Sequence, residues 1–242
     1  MSVVVYSSRT ILFYIALATW TIGWSTFMLI ALPLMPFRKR HRLVKYWGHV
    51  AMFLCKYITG IRWEVKGREN IPKTPCVLIS NHQSTWETFF FQTLITPQTQ
   101  VIKKSLLSIP FFGWAFSLTK PIAINREDAR KSLQQIALQG KEALEHGVWV
   151  LIFPEGTRNP NGSLGKFSRG GINLARKAEC NILPIAHNAG SCWPNSSWIK
   201  KPGTIQIHIG EEITVANKTP AQITDESRSW IEQEINKMNK SA

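Results

Sequence analysis

Two short strings hold residue types at spacings that can do chemistry. They are Asn81-His82-Gln83-Ser84-Thr85-Trp86-Glu87 and Phe153-Pro154-Glu155-Gly156-Thr157-Arg158. In the first, an imidazole precedes a carboxylate with four residues between them. An unperturbed imidazole titrates near neutrality, so His82 is a candidate general base. Such a base needs a partner that fixes its tautomer and steadies the imidazolium. Glu87 can do this if the turn at 83–84 and the first helical turn fold back, the logic of a serine-protease triad with a substrate hydroxyl as nucleophile. A satisfied structural histidine is the plainer reading of His82 taken alone. A metal pair is disfavoured because no second histidine lies nearby. In the second string, Gly156 lets the backbone approach an anion, Thr157 adds a hydroxyl donor, and Arg158 offers a guanidinium fork. Arg126, after a separate apolar run, is a second phosphate clamp. Glu155 is acidic, so it suits a substrate hydroxyl or the orientation of an arginine rather than the phosphate. Lys166 and Arg169, in a glycine-rich stretch without a Walker pattern, are weaker candidates.

The elements that must position these groups read as alternating strands and helices. Apolar runs at 61–66, 76–80, 101–102, 121–124, 148–153, 182–186 and 204–209 have strand character. Ser84 can cap a helix to about Leu94. Periodicity places helices over 127–146, from Ser168 to about Glu179, and after Thr219-Pro220-Ala221-Gln222, where a capping residue, an N1 proline and a capping-box glutamine coincide. Ile223, Trp230, Ile231 and Met238 should face inward from the last of these. Several strands are apolar on both faces, which argues for an α/β fold with a mostly parallel central sheet flanked by helices. Asn81-His82, Asn125-Arg126 and Glu155 to Arg158 each follow such a strand, so all three should face one crevice at the strands' carboxyl ends.

Ahead of this domain, Ile11 to Phe37 carries no charge. Pro33 and Pro36 should end a helix that leaves about 22 residues, long enough to span a bilayer core. A cleaved signal peptide is the alternative, disfavoured by the length of the run and the lack of a cleavage site. The basic cluster Arg38-Lys39-Arg40-His41-Arg42 comes next, while Arg9 alone precedes the run. That asymmetry places the chain beyond residue 37 in the cytoplasm and gives the cluster a grip on anionic headgroups. Residues 43–59 form an amphipathic helix by pattern, with Lys45, His49, Met52 and Lys56 on one face and Trp47, Val50, Leu54, Tyr57 and Ile58 around the other. It is interfacial, or a surface helix packed on the soluble core. The division is residues 1–59, membrane-associated helices, and residues 60–242, the α/β domain. Pattern does not separate a true span from two helices inserted in one leaflet.

The net charge of +14 favours anionic partners. Nucleic acid is disfavoured, because the charge sits beside membrane segments and no recognition motif is present. Cys55, Cys76, Cys180 and Cys192 are scattered without a C-x-x-C, as buried reduced thiols would be.

Together the strings resemble the blocks of the glycerolipid acyltransferase family that includes bacterial lysophosphatidate acyltransferases. The family's N-H-x-x-x-x-D block matches Asn81-His82, with Glu87 in place of the aspartate. An apolar run ending in arginine matches Ile122 to Arg126. F-P-E-G-T-R matches Phe153 to Arg158 in full, and an apolar run with proline matches Ile182 to Ala186. Lys103-Lys104 resembles a lysine pair that follows the first block. The resemblance implies an enzyme of the bacterial inner membrane with its catalytic domain on the cytoplasmic face. It would carry an acyl group from acyl-CoA or acyl-carrier protein to the sn-2 hydroxyl of lysophosphatidate, without a metal or redox cofactor. His82, held by Glu87, would be the base, and Arg126 and Arg158 would hold the phosphate. The Gly156 amide with Lys103 or Lys104 would steady the oxyanion. Phe89 to Phe91 and Phe111 to Phe116 would line an acyl channel or simply pack the core. Another lysolipid acceptor, such as a lyso-ornithine lipid, or a non-catalytic lipid-binding role, are the competing readings.

Overall fold

The computed structural model describes residues 3–125, 127–159 and 163–240, without the side chains of Phe37, Arg38 and Arg42. Short apolar runs form β1 (Ile61–Lys66), β2 (Val77–Ser80), β3 (Gln98–Lys103), β4 (Ile122–Ile124), β5 (Trp149–Ile152), β6 (Ile182–His187) and β7 (Gly203–Ile209). They build one sheet in the order β1-β7-β6-β2-β5-β3-β4. Neighbours run parallel except β6 and β7. The mostly parallel sheet expected from two-sided apolar strands is therefore present. β2, β5 and β6 are buried at every position, as strands covered by helices on both faces must be.

Alternation along the strands divides the core in two. Leu78, Leu151, Leu183 and Ile185 point to the face covered by α3 (Trp86–Leu94) and the N-terminal helices, where Trp86, Phe90, Phe91, Phe13 and Trp47 meet them. Val77, Ile79, Val150 and Ile152 point to the other face. There α5 (Ala129–Glu145), α6 (Gly170–Lys177) and α7 (Pro220–Lys240) supply Ile136, Ile172, Leu174, Ile223 and Ile231. The cap of α7 forms as read: the Gln222 amide donates to Thr219 Oγ1, and the Thr219 amide donates to Gln222 Oε1. Asp128 caps α5 by accepting from the Lys131 amide.

The N-terminal helices differ from expectation at their ends. α1 runs Val3–Ala31, eight residues ahead of the uncharged stretch, and takes in Arg9. Arg9 is tolerated because its Nε donates to the Ile58 carbonyl. Pro33 does end the helix, through a 3-10 turn at Leu32–Leu34. Thr10, Phe13, Leu17, Ser25 and Met28 form the buried stripe of α1, while Ile11, Leu12, Ile15, Ile22, Phe27 and Ile30 are exposed. α2 begins at Phe37 and so contains the basic cluster. Arg40 does not reach outward, as the cluster's expected headgroup grip requires. It donates to the carbonyls of Met35 and Leu118, the latter just beyond α4 (Phe112–Ser117), and His41 is buried. The buried stripe of α2 is Val44, Trp47, Gly48, Ala51 and Met52, with Cys55 just beyond it. Met52 therefore belongs to the packed face, not the polar one. A π-turn at Cys55–Thr59 inserts an extra residue and swings Tyr57 out to 63% exposure, away from the apolar face it was assigned. The boundary at residue 59 falls at the end of this helical pair. Phe13, Leu17, Trp47, Ala51, Met52 and Cys55 nevertheless share one core with the sheet.

Candidate active site

β2 and β5 are parallel neighbours, so the loops after them emerge side by side. The first carries His82 and the second carries Phe153 to Arg158. The chain turns at 81–85 and enters α3 at Trp86. Side-chain bonds of Ser84 and Glu87 close this turn just ahead of the helix. The Trp86 amide donates to Ser84 Oγ, and Glu87 Oε1 accepts the Ser84 amide at 2.7 Å. The same oxygen accepts the Gln83 amide at 2.9 Å and lies 2.9 Å from His82 Nδ1. The turn that leads into the helix thus also delivers a carboxylate to the imidazole. Burial pushes the Glu87 carboxyl up, but the hydrogen bonds from His82 and the Ser84 amide outweigh it and hold the group below its ordinary value. An ionised acceptor on Nδ1 makes Nδ1 the protonated nitrogen. Nε2 is then left basic, on a ring that lines the central cavity.

The imidazole is clamped on its other sides. Phe153 stacks on it at 4.2 Å between centroids. The His82 amide donates to Glu155 Oε1 at 2.8 Å, and the His82 carbonyl accepts the Asn159 amide at 2.8 Å. Glu155 Oε2 takes the Gly165 amide and the Asn159 side chain. Both Glu155 oxygens are therefore engaged by the protein, against the expectation that this carboxylate meets a substrate hydroxyl or an arginine. It splints the two motif loops together. Gly156 adopts φ 70°, and a Cβ there would meet nothing within 4 Å. Its amide, expected to steady an oxyanion, instead donates to the Phe153 carbonyl at 3.1 Å, because the chain turns there. Thr157 is exposed on the same loop.

Arg158 lines the cavity and donates to Asn195 Oδ1 at 3.1 Å. Lys103, at the end of β3, lines the cavity as well, whereas Lys104 starts the following 3-10 turn and lies on the exposed surface. Arg126 lies outside the described residues. β4, which precedes it, is at the sheet edge, and Ile124 reaches the cavity wall. Lys166 and Arg169 are not among the cavity's lining residues.

Sequence reasoning missed a buried clasp behind the site. Asn81 donates through Nδ2 to the His187 carbonyl and accepts the His187 amide at Oδ1. His187 Nε2 lies 2.8 Å from the Asn81 carbonyl, and its Nδ1 accepts the Ala189 amide. That pattern requires the neutral Nε2–H tautomer, and burial holds this histidine below its ordinary value. Gln83 Oε1 accepts the Gly190 amide. These bonds join the ends of β2 and β6 across 106 residues of chain. The only sequence signal for them was that both segments end apolar strands.

The cavity measures about 720 Å³. It runs from His82, Gly156 and Arg158 along α1 past Leu17, Thr21, Trp24 and Ser25 to Met28, Val44 and Ala115. Phe89, Phe112 and Phe116 are in its wall, so part of each aromatic stretch does line a channel. Phe90 and Phe91 are core residues. Tyr14 to Met28 is fourteen steps along α1, or about 21 Å at ~1.5 Å per residue. The site is thus a hydrogen-bonded histidine base at the mouth of a long apolar pocket, with an arginine and a lysine beside it. That is the equipment of an enzyme acting on a lipid that carries an anionic headgroup.

Known proteins with similar sequences agree. The family described as Acyltransferase matches residues 62–188. A 1-acyl-sn-glycerol-3-phosphate acyltransferase of Pseudomonas aeruginosa is 48% identical over 95% of this chain and 91% of its own length. A human protein named 1-acyl-sn-glycerol-3-phosphate acyltransferase beta is 29% identical over 89% of this chain and 80% of its own. The 1-acyl-sn-glycerophosphate acyltransferase PlsC of Thermotoga maritima, a solved structure, superposes with a TM-score of 0.84 over 99% of this chain and 98% of its own. At 21% identity, that likeness speaks for the fold. The chain belongs to the acyltransferase family.

Proposed function

We propose that this protein transfers an acyl group from a thioester donor to the sn-2 hydroxyl of lysophosphatidate, giving phosphatidate. The observation that carries the reading is the Glu87-bound His82 at the mouth of the cavity, beside Arg158. The names of the relatives support the acceptor. His82 Nε2 removes the acceptor's hydroxyl proton as the oxygen attacks the thioester carbonyl. The C–S bond breaks, and the leaving thiolate takes the proton back from the imidazolium. Glu87 steadies that imidazolium. Lys103, which lines the same cavity, steadies the oxyanion in this reading, a role supported by the Gly156 amide being engaged within its own turn. Arg158 faces the acceptor phosphate. The thiol carrier is coenzyme A or acyl-carrier protein. An extended chain advances ~1.3 Å per carbon for a ~1.5 Å C–C bond, so the cavity takes about 16 carbons. These steps use no metal and no redox group.

One described helix, Val3–Leu34, is long and apolar enough by length and composition to cross a membrane. Its outward face is apolar too, which supports association with lipid rather than water. The inner membrane, with the catalytic domain on its cytoplasmic side against anionic lipids, fits the basic residues after this helix. The test is acyl transfer by the membrane-reconstituted protein. Labelled acyl-CoA and acyl-carrier protein are offered against lysophosphatidate, lysophosphatidylethanolamine and a lyso-ornithine lipid. Transfer to lysophosphatidate that His82→Ala abolishes is the expected result. Transfer only to another lysolipid would keep the base and discard the acceptor.

A further inference from the structure

Arg158 has no ion-pair partner among the described residues. Its one hydrogen-bond partner among them is Asn195. Asn195 sits in the segment between β6 and β7, and that segment is bound to the membrane helix. The Lys200 amide donates to Thr10 Oγ1 at 3.0 Å, and Trp193 meets Phe13 edge to face at 5.3 Å. Lys200 is 2% exposed. Its ammonium donates to the carbonyls of Ser197 and Trp198 and lies over two rings, Trp193 at 4.9 Å and Tyr14 at 5.4 Å.

Tyr14 is therefore held by its ring. Lys200 covers it, and Phe13 and Trp193 pack against it at 5.6 and 6.4 Å. Its hydroxyl has no hydrogen-bond partner among the described residues, and the residue is 39% exposed. It lines the same cavity as His82, Gly156 and Arg158. A fixed ring whose hydroxyl has no partner among the described residues, in one cavity with a guanidinium that has no ion pair among them, is a donor pair for an anion. One segment sets both members: Asn195 aims the arginine, while Trp193 and Lys200 aim the tyrosine.

We propose that Tyr14, from the membrane helix, donates a hydrogen bond to the acceptor's phosphate beside Arg158, with Lys200 as the residue that positions it. This rests on the reading of the site as one for a phosphate-bearing lysolipid. It gives α1 a part in recognising the headgroup as well as in lining the acyl pocket.

The test is Tyr14→Phe in the full chain, reconstituted in bilayers, with KM measured separately for acceptor and donor. The substitution keeps the ring and its packing and removes the hydroxyl alone. A hydrogen bond to a charged group predicts that KM for lysophosphatidate rises about tenfold. The kcat, the donor KM and the melting temperature should stay unchanged, and so should whatever rate the wild type gives on monoacylglycerol, which has no phosphate. Lys200→Met should raise the same KM by a smaller factor. An unchanged acceptor KM, a change in donor KM, or an equal loss on monoacylglycerol would each overturn the proposal. So would a drop in melting temperature, because the hydroxyl would then be serving the fold. The wild type is the separate control for the acceptor. If it prefers a different phosphate-bearing lysolipid, the named substrate falls, and Tyr14→Phe is judged on the acceptor it does use.

Discussion

Glu87→Gln isolates the charge behind the base. The side chains are the same length, so the amide oxygen can still accept from His82 Nδ1 and from the Gln83 and Ser84 amides, now at 2.9, 2.9 and 2.7 Å. The tautomer and the ring position survive; the negative charge does not. With Nδ1 and Oε1 at 2.9 Å, the charge centres of an imidazolium–carboxylate pair are about 4 Å apart, worth about 4 kcal/mol at an effective dielectric of ~20. The glutamine recovers roughly 1 kcal/mol of that as a neutral hydrogen bond. The remaining ~3 kcal/mol is about a hundredfold in kcat. Glu87 Oε2 is buried without a partner, and the glutamine amide nitrogen would replace it in an equally unpartnered place. A melting curve recorded alongside shows whether the variant stays folded. The assay is the steady-state rate of acyl transfer at saturating donor and acceptor, with KM for each. A loss below about threefold in a folded variant would refute the view that Glu87 stabilises a charged imidazole. A loss carried by KM would refute it as well. The same carboxylate also sets a pH slope. Its folded-state value lies below the ordinary 4.5, so its contribution is complete above the ordinary value and is lost as pH falls through the lowered one. Glu87→Gln should therefore flatten acid unfolding in that range.

Three further outcomes are expected from the geometry. Glu155→Ala removes the acceptor of the His82 and Gly165 amides and should lower stability by about 2 kcal/mol, read by denaturant unfolding, while cutting kcat more than either KM. Ala115→Phe puts a ring at the far end of the cavity and should shift the preferred acyl chain shorter by several carbons in a competition among donors; an unchanged profile would place the chain elsewhere. Burial lowers Lys200 from its ordinary 10.5 to about 8, so the folded state sheds its proton first and stability should rise between those values. Lys200→Met should abolish that rise in melts recorded across the range.

Several features were legible because they are local. The apolar runs of β2 and β5 gave the buried strands, and Glu87 needed only the turn at 83–84 and one helical turn to reach His82. The position of both motifs just after strands correctly brought their loops together. What was not legible depends on contacts far apart in the chain. The Asn81–His187 clasp spans 106 residues, and Arg40 finds the Leu118 carbonyl 78 residues away. Glu155 looked like a ligand because an acidic residue in a phosphate-binding string invites that role. Its actual partners are backbone amides, which carry no sequence signal, and the neighbouring Asn159 side chain. The Gly156 amide was misread for the opposite reason. Glycine permits the turn, but the same turn consumes the donor. The π-turn at Cys55–Thr59 likewise rotates Tyr57 off a face that a regular 3.6-residue period would have given it.

One wall of the acyl pocket is α1 itself, whose Leu17, Thr21, Trp24 and Met28 close a trough formed by the sheet domain. Removing that helix would therefore do more than release an anchor. The trough would open to bulk water along its length, and the activated thioester would sit beside a base with a solvent molecule as the nearest nucleophile. A helix apolar enough to hold the enzyme to lipid is thus also a wall of the cavity that contains His82, so cutting the chain at residue 59 would remove both together.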